Sequence, residues 1–444
     1  MSRSPLPPDE PRVPTAPDMS RGETDANLPP RLRRPNRQQI IEPRTYDELV
    51  PHDHKVRAVW ALVQSWNLAL FLERIRARGE RPGRAATDPQ LLIALWLYAT
   101  IEGVNCGRKL DRLCRESDPY KWLCGGVSLN YHTLNDFRVD YGDALDDLLN
   151  QMIAALVEAG IVSVARVAQD GTRVRASAGI NSFGEQATLE EHLKAAREHL
   201  EAVKHDVEEP TMSARQRAAR LRGARDRVER LEQALNELKK VAQAKARQKE
   251  KPTKDHPARA SSTDPEARLM RMPDGGTRPA YNLELATDCD SRAIVGVEVT
   301  NAGNDAGQDV PMRDQVEMRA DEAVEEQLMD GGCLTLEAID RAAAEEVTIF
   351  APVPKPRSEG VDRYAPKPTD SEAVAHWRQR MSTADAQRLY KQRSATIETI
   401  NGELKSQRGL GPMTVRGLKK VQTAVLWPVL AYNLVHLGAI LLSG

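Results

Sequence analysis

Five strand-length apolar runs lie between residues 162 and 353, and this order limits what the chain can fold into. They read "VSVARVAQD", "YNLELATDCD", "AIVGVEVTN", "EEQLMDGG" and "EVTIFAPV", each rich in Val, Ile, Leu or Ala. The helical stretches "VPMRDQVEMRADEAV", "LTLEAIDRAAAEE" and "DAQRLYKQRSATIETINGELKS" alternate with the last strands. Strands and helices in this order bury their apolar faces as an α/β layer, with helices against a mixed sheet.

Residues 41–160 have a different texture, helical throughout. "DPQLLIALWLYATIEGV" opens on Asp88 as N-cap with Pro89 at the first helical position. "CGRKLDRLCRES", "SLNYHTLNDFRVDYG" and "ALDDLLNQMIAALVEAG" complete an all-α unit. In "SLNYHTLNDFR", Tyr131, His132, Asn135 and Arg138 fall on partly shared faces; such a helix suits a DNA major groove and suits an ordinary bundle equally well.

Two segments stand outside these layers. Residues 1–40 are Pro-rich, without apolar periodicity, and end in "RLRRPNRQ"; they read as a disordered arm whose Arg31, Arg33, Arg34 and Arg37 suit either a phosphate backbone or water. Residues 185–262 form a charged helical insertion after the first strand. Leu221, Val228, Leu231, Leu235 and Leu238 give it a narrow seam, as in a helical hairpin. Arg215, Arg217, Arg220, Arg222, Arg225 and Arg227 crowd one short run of it. Both a solvated helix pair and a nucleic-acid clamp stay open there.

Whole-chain totals exclude more than they select. With 444 residues and a net charge of −1, the balance conceals regional bias. Cys106, Cys114, Cys124, Cys289 and Cys333 form no CxxC pair, so neither a zinc knuckle nor a disulfide framework is expected, and a reducing cytoplasm fits. The first residues lack the apolar core of a secretory signal. "LLIALWLYATI" is too short to span a bilayer, and the C-terminal apolar stretch carries Gln422, Pro428, Asn433 and His436; both read as core helices. His52 and His54 in "PHDHK" have no third partner for a metal.

The acids are more informative. Asp170 and Asp330 each follow a short apolar strand and precede Gly, a context that suits a turn or a carboxylate aimed at a ligand. Asp274 precedes a strand and fits a plain turn. Carboxylates at the carboxyl ends of strands lie where α/β sheets collect ligands. Glu398 is one helical step from Ile397, on the margin of a seam made by Ile397, Ile400 and Leu404. Lys405 lies nearly on its side, with Gly402 between them.

"AQDGTRVRASA", "MDGG" and "YKQRSATIETINGELKSQRGLGPMTVRGLKKV" together resemble the acidic blocks of insertion-sequence DDE transposases, and the resemblance extends over roughly 45–440. Tyr390, Arg393, Glu398 and Lys405 resemble the Tyr, Arg, Glu, Lys signature around the third catalytic acid. Three positions depart from the pattern: Arg393 and Glu398 stand one residue further apart than in one branch, Met329 replaces a small residue, and Cys333 an aromatic.

The resemblance implies an RNase H-like mixed five-stranded sheet over 161–184 and 263–444, a long helical insertion after its first strand, and an all-α, DNA-binding N-terminal domain before it. Its first and fourth strands would be parallel neighbours about 5 Å apart. It further implies that Asp170, Asp330 and Glu398 hold two Mg2+ or Mn2+ ions, that Tyr390, Arg393, Lys405, Arg416 and Arg138 contact DNA, and that a homodimer on DNA cuts terminal inverted repeats and joins them to target DNA. The alternatives are a DNA-binding protein that has lost catalysis and a nuclease outside transposition. No membrane partner is expected, and the location is a bacterial cytoplasm, at the nucleoid when DNA is bound.

Overall fold

The helical part begins with α1 (Lys55–Ser65), α2 (Ala69–Glu73) and α3 (Pro89–Ile101). Asp88 accepts a hydrogen bond from the Gln90 N–H and Pro89 opens α3, so the N-terminal signal in the sequence acts as it reads. His54 does the same for α1: its ring nitrogen accepts from Val56 N, which gives this histidine a capping role. α3 is apolar on every side and buried from Leu91 to Thr100, so it forms the centre of this part rather than a face of it. α4 (Gly107–Glu116), α5 (Asp118–Cys124), α6 (Tyr131–Asp140) and α7 (Gly142–Glu158) follow, with Asn130 capping α6 through Thr133 N.

The computed structural model describes residues 45–75, 85–205, 212–247, 257–303, 307–332, 334–356, 358 and 360–441. The Pro-rich arm with its arginines, and Cys333, lie outside them.

β1 (Arg166–Arg175) enters the sheet next, followed by β2 (Phe183–Gly184), then α8 (Gln186–His205) and α9 (Ala214–Arg247), which pack on one another as the expected hairpin. β3 (Ala260–Ser261) pairs with β2 at its base. β4 (Arg268–Arg271), β5 (Thr277–Asp288) and β6 (Ile294–Thr300) lead to α10 (Asp309–Ala320), β7 (Glu326–Leu328), α11 (Leu336–Ala344) and β8 (Thr348–Phe350). The order across the sheet is β4-β5-β1-β7-β8, with β6 also on β5; β1, β7 and β8 are parallel and the other pairs antiparallel.

This is an RNase H-like mixed sheet. The five strands read from the sequence are all present, and β4 adds a sixth by pairing with the start of β5. Asp274 makes the turn between them: its Oδ1 accepts from Gly276 N at 3.1 Å, and Gly275 takes φ 84°.

Helices cover the sheet. Ala168, Leu328 and Phe350 are buried with Ile339 of α11 and with Val374 and Trp377 of α12 (Glu372–Ser382). α13 (Ala384–Arg393) runs through a π-helical turn, Ser394–Glu398, into α14 (Thr399–Ser406), which buries Ile400 and Leu404. The closing α15 (Leu418–Leu441) packs on α3, α6, α7 and β6, and one apolar cluster runs from the N-terminal helices through it to the sheet.

The polar residues inside α15 have a structural purpose. β6 is an outer strand, and outer strands leave backbone groups unpaired. Gln422 Oε1 accepts from Val299 N and its Nε2 donates to Val297 O; Asn433 pairs with both N and O of Ile294 at 2.9 Å each. From α10, Gln315 accepts from Val297 N. Among the described residues no helix is long and apolar enough to cross a membrane.

Candidate active site

Asp170 does not end a strand, as its Asp-Gly context suggested. β1 continues through it to Arg175 and pairs with β5 all the way, Asp170 opposite Leu285 and Gly171 opposite Glu284. Long-range pairing overrides the local turn preference. On its other side β1 is paired with β7 only from Arg166 to Ala168. Asp170 therefore sits just beyond the point where two parallel strands part.

Asp330 sits at the same point. Ala168 pairs with Leu328, and the same offset carried two residues further sets Asp170 level with Asp330. Asp330 is exposed, and its own Oδ1 accepts from Gly331 N at 2.7 Å. A Cβ on Gly331 would come within 3.0 Å of Pro352, so this position favours glycine where the chain passes the segment after β8. Met329 is fully buried and its N–H donates to Phe350 O.

The helix α13–α14 lies across β1. Arg393 Nη2 donates to Asp170 Oδ1 at 2.6 Å, Asn401 Nδ2 donates to Asp170 Oδ2 at 3.2 Å, and Lys405 Nζ donates to Thr172 Oγ1. Burial pulls the Lys405 ammonium below its usual pKa, and the Asp170 charge opposes this. Tyr390 packs against the cluster under α12. Burial pushes its phenol up, Arg393 works against that, and the charges of Asp330 and Asp170 add to it.

The extra residue between Arg393 and Glu398 coincides with the π-helical turn, where one more residue per turn is accommodated. Glu398 closes that turn. Ile397 is fully buried beside it, whereas Glu398 itself is exposed and makes no hydrogen bond or ion pair with the described residues. Three and seven residues on, Asn401 and Lys405 share its side of the helix and face β1.

Arg416 is exposed, its Nε on Ser177 O at 3.2 Å. Arg138 turns inward instead. Its guanidinium lies 5.0 Å from the Trp96 ring centroid and donates to Asn105 O, and burial pulls its pKa down to about 10. It fastens α6 to its neighbours; the helical pattern gave no sign that a tryptophan from α3 would stack on it. Asn401 and Thr172 were not singled out from the sequence. The periodicity signals were there: Asn401 is one turn from Glu398, and Thr172 is two residues from Asp170 on one strand face.

Among the described residues no three His, Cys, Asp or Glu side chains stand close enough together to hold a metal ion. The residue types nevertheless suit a hard divalent cation, with Asp170 on β1, Asp330 two residues past the end of β7 and Glu398 on the crossing helix. One buried oxygen beside them, Asn401 Oδ1, has no hydrogen-bond partner among the described residues.

Residues 44–140 match a transposase domain (DUF772), and residues 361–438 match a transposase DDE domain. Comparison with curated proteins and with solved structures gave no match. The RNase H-like sheet is in keeping with these two matches, which are to domains of the DDE transposase class. Both matches support an insertion-sequence DDE transposase.

Proposed function

We propose that the protein cleaves phosphodiester bonds at the ends of an insertion sequence and transfers the freed 3′ hydroxyl to target DNA. The observation that carries this reading is the shared register of β1 and β7, which sets Asp170 level with Asp330 where the strands part. Asp170, Asp330 and Glu398 would hold divalent cations, Mg2+ or Mn2+. When bound, a pair of such ions supplies charge stabilisation for in-line displacement at phosphorus.

The chain's own residues do the rest. Arg393 neutralises Asp170 and is within reach of the same crevice for a phosphate. Lys405, tied to Thr172 on β1, places a second cation one strand step further along. Tyr390 frames the crevice between the two aspartates, and Arg416 offers an exposed guanidinium near the end of β1. Residues 41–160 would bind DNA together with this surface, and two copies would act on paired terminal repeats in the cytoplasm. A second reading, a DNA-binding protein without catalysis, draws on the exposed Glu398 and on the engagement of Asp170 by Arg393.

The test is cleavage and joining of terminal-repeat DNA with Mg2+. Asp170→Ala, Asp330→Ala and Glu398→Ala should each lose at least about 100-fold, more than an outer partner of a metal site costs. Equal activity in all four proteins would remove this site. Cutting without joined products would point to a nuclease, and metal-independent binding without nicking to the second reading.

A further inference from the structure

The α8–α9 hairpin has a feature that its packing does not require. Its core is formed by Leu189, Leu193 and Ala196 of α8 with Val228, Leu231 and Leu238 of α9. Arg197 pairs with Glu232 at 2.7 Å, which sets those two positions level. Eight residues back from Glu232 is Ala224, the first buried residue of α9. α9 nonetheless begins at Ala214, about ten residues or ~15 Å beyond. No residue from Ala214 to Gly223 is buried.

The overhang starts at a specified place. Ser213 Oγ accepts from Gln216 N at 3.3 Å while Gln216 Oε1 accepts from Ser213 N at 2.9 Å, a reciprocal capping box. The other end of α9 is moored to the sheet through the Glu237–Arg268 ion pair and through Lys245 on Pro257 O.

From Ala214 to Arg227 the helix carries six arginines, no lysine and one acid, Asp226, in a chain whose net charge is −1. Arg215, Arg222, Arg225 and Arg227 are exposed and make no ion pair among the described residues. Like charges three apart, such as Arg222 and Arg225, oppose helix formation, and so do cations in the first turns of a helix. Among the described residues no acid pairs with these four to offset that cost. A polyanion would, and guanidinium suits phosphate better than ammonium does.

We propose that this arginine overhang grips the backbone of duplex DNA away from the catalytic crevice, as a sequence-independent clamp. It rests on the transposase reading only for the choice of polyanion. β1 carries the chain five residues beyond Asp170, ~17 Å, before the hairpin departs. The hairpin therefore meets DNA flanking the scissile bond rather than the bond itself.

The test uses the full chain, random-sequence duplex DNA and fluorescence anisotropy without divalent metal, so that the acidic residues do not enter. Replacing Arg215, Arg222, Arg225 and Arg227 by Gln should weaken binding at least about tenfold at 0.1 M salt. It should also flatten the dependence of log K on log salt by roughly 0.9 for each phosphate that is no longer neutralised. The corresponding four-Lys variant, which keeps the charge, should bind within a few-fold of the parent, and helix content by circular dichroism should match in all three. Unchanged affinity and slope in the Gln variant overturns the clamp, as does tighter binding of the parent to phosphatidylserine vesicles than to DNA. A protein that binds through the overhang yet never cleaves would refute the transposase reading and leave the clamp standing.

Discussion

Asp170 is held by a cation on one oxygen and an amide on the other, and the amide brings a buried, unpartnered oxygen with it. This makes Asn401 a sensitive position. Asn401→Asp would press a second carboxylate against Asp170, and like charges so placed cannot both ionise freely. The variant should be less stable at pH 7 by on the order of 1–3 kcal/mol. It should recover on acidification, as one of the pair takes up a proton. Mn2+ should raise its Tm more than it raises the parent's, which thermal melts with and without the ion would check; equal Tm shifts would remove Asn401 from the crevice. Another residue-scale expectation concerns Asp264, fully buried, its Oδ1 accepting from Tyr281 and from Gly417 N. Burial raises its pKa, so the folded protein binds a proton more tightly than the unfolded chain and loses stability as pH rises through that window. Asp264→Asn should therefore flatten the fall of Tm as pH rises above the usual carboxylate range, without lowering Tm at pH 7.

At the scale of elements, the π-helical turn accounts for the odd spacing in the Tyr, Arg, Glu, Lys signature. Deleting Ala395 would restore α-helical winding and keep Arg393 and Glu398 on one side. The deletion should leave Tm within a few degrees, whereas a single deletion in α15 would rotate one half of that helix by about 100° and unfold the chain. Asn433→Leu should cost about 2–4 kcal/mol in a denaturant titration, because it orphans the N–H and the carbonyl of Ile294 together. The elements themselves were largely legible. Five strands, the Asp88–Pro89 start of α3 and the hairpin follow from period and capping, which are local. The passage of β1 through Asp170-Gly171 was not, because a partner strand some 115 residues away decides it, and neither was the short β4, which is a strand only by pairing with the start of β5. The acids could be picked out from their contexts and the resemblance; that Arg393 would sit on Asp170 could not, since it depends on how the crossing helix lies.

For the whole molecule, residues Tyr46–Gly444 form one compact unit. Trp427 of α15 stands 6.2 Å from Trp96 and 6.3 Å from Phe137, and its Nε1 donates to Arg138 O. The helices of 45–160 thus complete their core with a segment nearly 270 residues downstream. Expressed alone, residues 45–160 should lack fixed near-ultraviolet dichroism, while the full chain should melt with the helical part and the sheet in a single transition. Independent folding of the fragment would contradict that dependence. The margin of β6 bears on assembly as well. With amide and carbonyl groups of Ile294, Val297 and Val299 already answered by glutamine and asparagine side chains, that strand offers a second copy little ladder to extend, so any second copy would have to meet this one through other surfaces.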